Sequence, residues 1–302
     1  MKDFLNYYYF ILPDKIRLLN QNYYFSFKNQ FFAFYKYNNS LENIQDIFNL
    51  NIYISYQTKN VNKIILNREG NILTKKNNSY YVLVLLEISS NNIVTLKNVL
   101  EFQRVYLSIP SLNRSNWYFL WSQKIDNLEY MKEHFMKKYL LLYHSLSYYI
   151  GLTENAISYL RYLKLENHNL GVCHKRVGSM ESLREFYNPL NFVIDYKVRD
   201  IAEYFKSLYF VKKIDVKEIV NLIKRINFNS IDIIYFYIRM LYPSYYFDLV
   251  DEILKGNQEE KVLNIIEMQE NFEYLLYEIY LIVKSRVNIV GIEWINKKFA
   301  NL

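Results

Sequence analysis

Apolar residues in the first 90 positions occur mostly in short runs that are typical of β-strands. A hairpin is predicted by YYFSF and FFAFYKY, which flank KNQ, and three further strands are predicted by NIYIS, KIILN and NILT. Gly70 lies in the turn REGN between the last two and can adopt the positive φ that such a turn often needs. The longer run YYVLVLLEI predicts a buried central strand. One helix interrupts the strands, because SLENIQDIFNL repeats its apolar residues with the period of a helix.

From about Asn91 onward the apolar residues follow a helical period. Two long amphipathic segments precede a short irregular and strand-like region over residues 167–196, and several helical segments follow it. The change of period predicts a β-rich lobe over residues 1–90 and a larger helical lobe over residues 91–302. This order predicts an α+β protein with the two-lobe protein-kinase-like fold, an outline that other two-layer α+β folds share.

The 302 residues are 51% hydrophobic and 22% charged, which is typical of a globular protein and excludes a disordered one. The net charge is +7, but the Lys and Arg residues are scattered and interleaved with acids. A nucleic-acid-binding protein concentrates its cations on one face or in one run. Nucleic acid is therefore not expected as a partner.

Cysteine content and hydropathy bear on the cellular compartment. The single cysteine, Cys173, excludes an internal disulfide and a cysteine-based zinc site. The N-terminal run MKDFLNYYYFIL is a poor signal peptide, and no stretch reaches the apolar length of a membrane span. We therefore expect a cytoplasmic protein without a transmembrane segment.

A phosphotransferase of the kinase-like fold holds the phosphates with a lysine on the third strand and covers them with a backbone loop. Lys36 in FAFYKY is placed like that lysine, and Glu42 on the next helix is a candidate to pair with it. Alternatively, Lys36 is a surface lysine at the end of a strand and has no role in phosphate binding. No glycine precedes Gly70, so no glycine-rich loop can bring backbone amides to a triphosphate.

Two carboxylates follow a short apolar run in NPLNFVIDYKVRDIAEYF, where Asp195 ends the run and Asp200 opens a helical pattern. They could hold Mg²⁺ beside a phosphate, or only cap a helix and pin a loop. His174 in VCHKRV stands where a catalytic loop should begin, although a lone histidine is more often a buried hydrogen-bonding group than a base. A nucleophilic pair of Cys173 and His174 is disfavoured, because adjacent residues on a strand point to opposite faces.

Five segments, in the same order from about Ile16 to the C-terminus, carry a resemblance to a known family. They resemble the spore-coat-associated, kinase-like proteins of Gram-positive bacteria, a branch related to aminoglycoside phosphotransferases and choline kinases. The segments are NREGNILTKKNNSYYVLVLLE, YYIGLTENAISYL, VCHKRV, NPLNFVIDYKVRDIAEYFK and RMLYPSYYFD.

The resemblance implies a degenerate catalytic loop. In the active phosphotransferases this loop reads His-Gly-Asp, with an Asn a few residues on. Here His174 matches the His, Lys175 stands in place of the Gly, and Arg176 stands in place of the catalytic Asp. A guanidinium cannot accept a proton at neutral pH, so Arg176 cannot serve as the base. Asn188 and Asn191 both lie too far along the chain to match the loop Asn easily.

The resemblance also assigns roles to the two carboxylates. Asp195 resembles the metal-binding Asp and Asp200 the Asp that braces the catalytic loop, although the two are closer together here than is usual. We expect Asp200 to be buried and to accept hydrogen bonds from His174 or nearby backbone amides, and Asp195 to lie near the cleft without a defined partner. The Asp200→Asn variant should then be clearly less thermally stable than wild type. The Asp195→Asn variant should have nearly the wild-type thermal stability. Arg199 and Glu203 are predicted to form an i,i+4 pair.

The sequence therefore predicts a catalytically degenerate kinase-like protein, a pseudokinase, that acts by binding unidentified protein partners in spore-coat or envelope assembly. ATP and Mg²⁺ are expected to bind weakly or not at all, and the protein is expected in the cytoplasm or with the spore. Two alternatives remain. One is an active small-molecule phosphotransferase that uses Asp195 for the metal and another group as base, and the other is a purely structural scaffold.

Overall fold

The computed structural model describes residues 1–38, 40–88, 92–102, 109–163 and 170–300. Its N-terminal part is an antiparallel sheet of six strands, in the order β1-β2-β3-β6-β4, with β5 also paired to β6. The strands are β1 Ile16–Leu19, β2 Asn22–Phe27, β3 Gln30–Tyr37, β4 Lys63–Ile65, β5 Thr74–Lys76 and β6 Ser79–Leu86.

Tight turns join the first three strands. Asn20 and Gln21 connect β1 to β2, and Lys28 and Asn29 connect β2 to β3, with positive φ at all four residues. Two-residue turns of this kind match the twist of antiparallel strands. The second turn confirms the hairpin predicted around KNQ, and the φ of 78° at Gly70 agrees with the turn predicted at REGN.

The two faces of the sheet pack against different helices. One face, with Ala33 and Tyr35, joins the large core cluster that also includes α2 (Ile44–Gln57). The opposite face, with Phe32 and Phe34, forms a cluster with α1 (Lys2–Tyr9). The sequence did not predict α1.

The strand predicted over NIYIS is wrong, because these residues form the second half of α2. Its alternation of apolar and polar residues is short. The buried positions Ile47, Leu50 and Ile54 follow a helical spacing that continues through the segment. Asn51 also lies on the buried face, where its side chain bonds to the backbone of Asn62 and Ile64.

In the described residues after β6, the C-terminal part is mainly helical and contains the antiparallel strand pair β7 (Leu170–His174) and β8 (Phe192–Tyr196). This arrangement confirms the predicted α+β class. The helices are α3 Leu96–Phe102, α4 Trp117–Lys138, α5 Leu140–Leu163, α6 Leu183–Phe186, α7 Val198–Phe210, α8 Val216–Lys224, α9 Ser230–Leu241, α10 Ser244–Leu254, α11 Lys261–Glu267, α12 Gln269–Lys284 and α13 Glu293–Phe299.

Two predicted boundaries lie outside the described residues. They are the lobe boundary between residues 90 and 91 and the start of the strand-like region at 167. The division into two lobes at residue 90 therefore stays a prediction. Within the described residues, none of the helices combines the length and the apolarity that a bilayer crossing requires.

Candidate functional site

The candidate site surrounds the loop of residues 174–176, which follows β7. In the β7–β8 pair, His174 lies opposite Phe192, and the Lys175 amide donates to the Asn191 carbonyl at 2.7 Å. Because α7 begins directly after β8, its first turn packs beside this loop. The topology thereby brings together residues that are distant in sequence.

His174 and Asp200 form a buried pair that braces the loop. Asp200 accepts a hydrogen bond from the His174 amide at 3.1 Å, and its second oxygen lies 2.6 Å from His174 Nδ1. The predicted contact is therefore present. His174 Nε2 lies 2.8 Å from the Phe186 carbonyl, and since a carbonyl only accepts, Nε2 carries a proton. The imidazole also packs against the aromatic rings of Phe102, Phe186 and Phe192.

Both ring nitrogens of His174 are engaged within the protein. Neither one offers a free lone pair to an outside substrate, and the ring is buried. A general base must reach the proton that it removes. The geometry of His174 is therefore that of a structural residue.

The expectation that Asp195 lacks a defined partner is wrong. Its side chain is fully buried and forms an ion pair with Arg199, while its other oxygen accepts from the Tyr196 amide at 2.7 Å. Burial raises the pKa of the Asp195 carboxyl above its ordinary value, although Arg199 favours the ionised form. Both oxygens are committed to the protein.

The predicted pair of Arg199 and Glu203 is also wrong. Glu203 instead contacts Lys206 Nζ at 2.7 Å and Arg239 Nε at 2.8 Å, and it accepts from the Ser244 hydroxyl at 2.6 Å. Burial opposes ionisation of Glu203, but these cations outweigh it and hold its pKa well below the ordinary value. Burial also lowers the pKa of Lys206 to about 8, even though Glu203 favours its charged form.

The structure does not bring Lys36 and Glu42 together. Strand residues alternate between faces, and Lys36 pairs across the sheet with Tyr81 on the face that carries Phe34. Its ammonium donates to Gln21 Oε1 at 3.0 Å. Glu42 lies in a short 3₁₀ turn, and within the described residues it forms no ion pair with Lys36.

Tyr35, rather than Lys36, faces the helical part of the protein. Its hydroxyl donates to Glu185 Oε1 at 2.9 Å, and the Tyr24 hydroxyl donates to the same oxygen at 3.3 Å. Asn188 donates to the other oxygen of Glu185 at 3.3 Å. Burial, with the nearby Glu185 carboxylate, raises the pKa of the Tyr35 phenol. These contacts tie the sheet to α6, and no motif in the sequence indicated them.

A cleft cavity of about 410 Å³ lies beside these residues, with walls from the β1–β2 turn, the end of β3 and the segment before β8. Its polar lining includes Lys36, Lys175, Glu185 and Asn188. Lys175 donates to the Leu190 carbonyl at 2.9 Å, and burial together with the nearby Arg114 lowers the pKa of its ammonium.

The groups present do not fit a Mg²⁺-bound nucleotide. The turn that would cover the phosphates has only two residues, neither of them glycine, and Gln21 in it binds Lys36. The inward position on β3 is occupied by Tyr35, and Asp195 is neutralised by Arg199. Within the described ranges, no three side chains of His, Cys, Asp or Glu are grouped as metal ligands.

Arg176, which stands in place of the catalytic Asp, lies at the surface of the loop. It forms an ion pair with Asp248 of α10 and donates to the Lys175 carbonyl at 2.7 Å. Arg176 lines a second cavity of about 630 Å³ on the side of α4, α9 and α10, and Lys175 lines both cavities. The loop therefore presents two cations, and no carboxylate of its own, between the two cavities.

Comparison with known proteins identifies the family and the fold. Residues 2–278 match the profile of the family described as "Spore coat putative kinase YutH". The endospore coat-associated protein YutH of Bacillus subtilis is 26% identical over 213 residues, which span 60% of this chain and 61% of that protein.

Solved structures show the same fold at low sequence identity. The aminoglycoside phosphotransferase of Alicyclobacillus acidocaldarius superposes with a TM-score of 0.65 over 90% of this chain and 93% of its own, at 9% identity. The amicoumacin kinase hAmiN, solved with AMP-PNP, Ca²⁺ and Ami, gives 0.59 over 91% and 92%, at 11% identity. The chain thus has the fold of these phosphotransferases and belongs to the spore coat YutH family.

Proposed function

We propose that this protein is a catalytically degenerate kinase-like protein that acts by binding, in assembly of the spore coat or envelope. The observation that carries the proposal is the loop of residues 174–176, where Lys175 and Arg176 stand in place of a glycine and the catalytic aspartate. Transfer of a phosphoryl group to a hydroxyl needs a base that accepts the hydroxyl proton. It also needs metal cations, which carboxylates without other partners hold in place.

The three aspartates that contact the loop or the first turn of α7 have partners within the protein. Asp200 is bonded to His174, Asp195 to Arg199, and Asp248 to Arg176. Each of these three aspartates is therefore engaged within the protein, and Asp195 and Asp200 are buried as well. This arrangement favours a binding protein over the alternative of an active small-molecule phosphotransferase.

Membership of the spore coat YutH family supports the proposed role in assembly of the spore coat or envelope. The relative from Bacillus subtilis is described as endospore coat-associated. We extend that association to this chain, with one or more proteins as binding partners.

Nucleotide titration tests the loss of phosphotransfer function. We expect isothermal titration of the full chain with ATP to give a dissociation constant weaker than about 1 mM, with no gain from Mg²⁺, because the described residues provide neither a glycine-rich backbone cradle nor a cluster of metal ligands. Lys36→Met is the matched variant, since the Lys36 ammonium bonds only to Gln21 within the described residues. This variant should fold like wild type and give the same ATP titration curve. A micromolar, Mg²⁺-dependent affinity that Lys36→Met weakens tenfold would instead support the active phosphotransferase.

A further inference from the structure

The second cavity has an aromatic wall that encloses a buried guanidinium. The rings of Trp117 and Trp121 stack at 5.0 Å, and those of Trp121 and Tyr242 stack at 4.3 Å. The Arg239 guanidinium lies 5.2–5.7 Å from the centres of all three rings. Such contacts hold a cation in place without neutralising its charge.

Cations outnumber acids in the lining of this cavity. Asp248 and Asp251 are its acidic lining residues, and they pair with Arg176 and Lys124. The cationic lining residues are Arg114, Lys124, Lys175, Arg176, Arg199 and Arg239.

Two of these cations have no carboxylate partner within the described residues. Arg114 is exposed and makes no side-chain hydrogen bond or ion pair there, and Lys175 bonds only to a carbonyl. Glu203, which compensates Arg239 from behind the wall, is shared with Lys206. The cavity therefore holds an uncompensated positive charge.

Two buried donors of the lining residues also lack an acceptor. Trp117 Nε1 and Arg199 Nε are buried without a hydrogen-bond partner in the described part of the chain. The Arg239 guanidinium donates from Nε to Glu203 at 2.8 Å. Buried N–H groups in folded proteins are nearly always paired. Cations without a carboxylate partner, beside an aromatic wall, indicate a ligand that supplies negative charge together with an apolar part.

We propose that this second cavity binds a small organic phosphate monoester. The inference rests on the proposed function, since it names the ligand class for a site that binds and does not transfer. A phosphate monoester carries a charge near −2 at neutral pH and three acceptor oxygens, which match the two uncompensated cations, Arg114 and Lys175. Arginine forks suit phosphate geometry, and the aromatic wall accommodates the organic part.

The test uses phenyl phosphate as the probe, without nucleotide or Mg²⁺. We expect saturable binding in calorimetry at submillimolar concentration, weakened severalfold by raising NaCl from about 0.05 to 0.5 M because salt screens the attraction. Phenol, which lacks the charge, and spermidine, which has the opposite charge, should not bind. Tryptophan fluorescence should change on binding, because two of the three tryptophans line the cavity. The change should persist in a Trp294→Phe variant.

Two variants decide whether the binding occurs at this cavity. Arg114→Gln should weaken phenyl phosphate binding at least fivefold without changing the melting temperature, since Arg114 is exposed and unpaired within the described residues. Arg225→Gln, at another exposed arginine, directly after α8, should leave the affinity unchanged. Absence of saturable binding, or equal affinity in Arg114→Gln and wild type, would overturn the proposal. Phosphoryl transfer from ATP would overturn only the proposed function, because this titration contains no nucleotide.

Discussion

Replacing Asp195 with asparagine is expected to destabilise the protein by about 3–5 kcal/mol, the usual cost of removing one partner from a buried ion pair. The substitution preserves the shape of the side chain but leaves the buried Arg199 guanidinium without its compensating carboxylate. The measurement is the free energy of unfolding from urea titration. The structure thereby reverses the expectation from sequence that this variant would change little.

A double-mutant cycle separates the ion pair from other effects of the substitution. Arg199→Met alone should also be costly, whereas the double variant should be more stable than the sum of the two single changes implies. The exposed pair of Lys97 and Glu101 provides a matched control, and Glu101→Gln should cost less than about 0.5 kcal/mol. Unchanged or higher stability of Asp195→Asn would show a carboxylate kept ready for a metal, in contradiction to our account.

Replacing Asp200 with alanine should likewise cost about 3–5 kcal/mol, because it removes both hydrogen-bonding oxygens from a buried histidine. Asparagine at this position should cost less, about 1–2 kcal/mol. Its oxygen can still accept from the His174 amide, and its nitrogen can donate to an unprotonated Nδ1. Thermal and urea unfolding of Asp200→Ala and Asp200→Asn would show whether the alanine variant is the less stable of the two.

The control for this series is Asp14→Ala, since Asp14 is exposed and lies outside the site. It should stay within about 0.5 kcal/mol of wild type. Wild-type stability in Asp200→Ala would mean that the contact with His174 contributes nothing, and the role carried over from the kinase-like family would fail.

The sequence was informative where local pattern and tertiary structure agree. The hairpin around KNQ needed only two alternating runs and a turn, and both are local. The contact between Asp200 and His174 followed from the order of motifs in a known family. The strand predicted over NIYIS failed because a short alternation cannot outweigh the helical spacing of Ile47, Leu50 and Ile54.

The ion pairs could not be chosen from spacing alone. Arg199 has a carboxylate four residues before it, Asp195, and another four residues after it, Glu203, so both pairs have the same spacing in sequence. Lys206 and Arg239 engage Glu203, and Arg239 comes from another helix. Only the tertiary structure therefore selects Asp195 as the partner.

The orientation of β3 was, by contrast, available from the sequence. In FFAFYKY, strand alternation places Lys36 on the face of Phe34 and Tyr35 on the face of Ala33. Assigning Lys36 as a phosphate-binding residue by its position near the strand end overlooked this alternation. No local sequence pattern indicates the aromatic wall around Arg239, because its rings come from α4 and from the segment after α9, which are distant in sequence.

The most direct test of the central claim is release or transfer of the γ-phosphate from labelled ATP by the full chain, with Mg²⁺ and with EDTA, over a panel of hydroxyl-bearing small molecules. Our account predicts that the rate with Mg²⁺ equals the rate in buffer alone for every compound, since Arg176 replaces the base and Arg199 neutralises Asp195. Mg²⁺-dependent transfer that is lost in Asp195→Asn, measured at a temperature where that variant is folded, would contradict it.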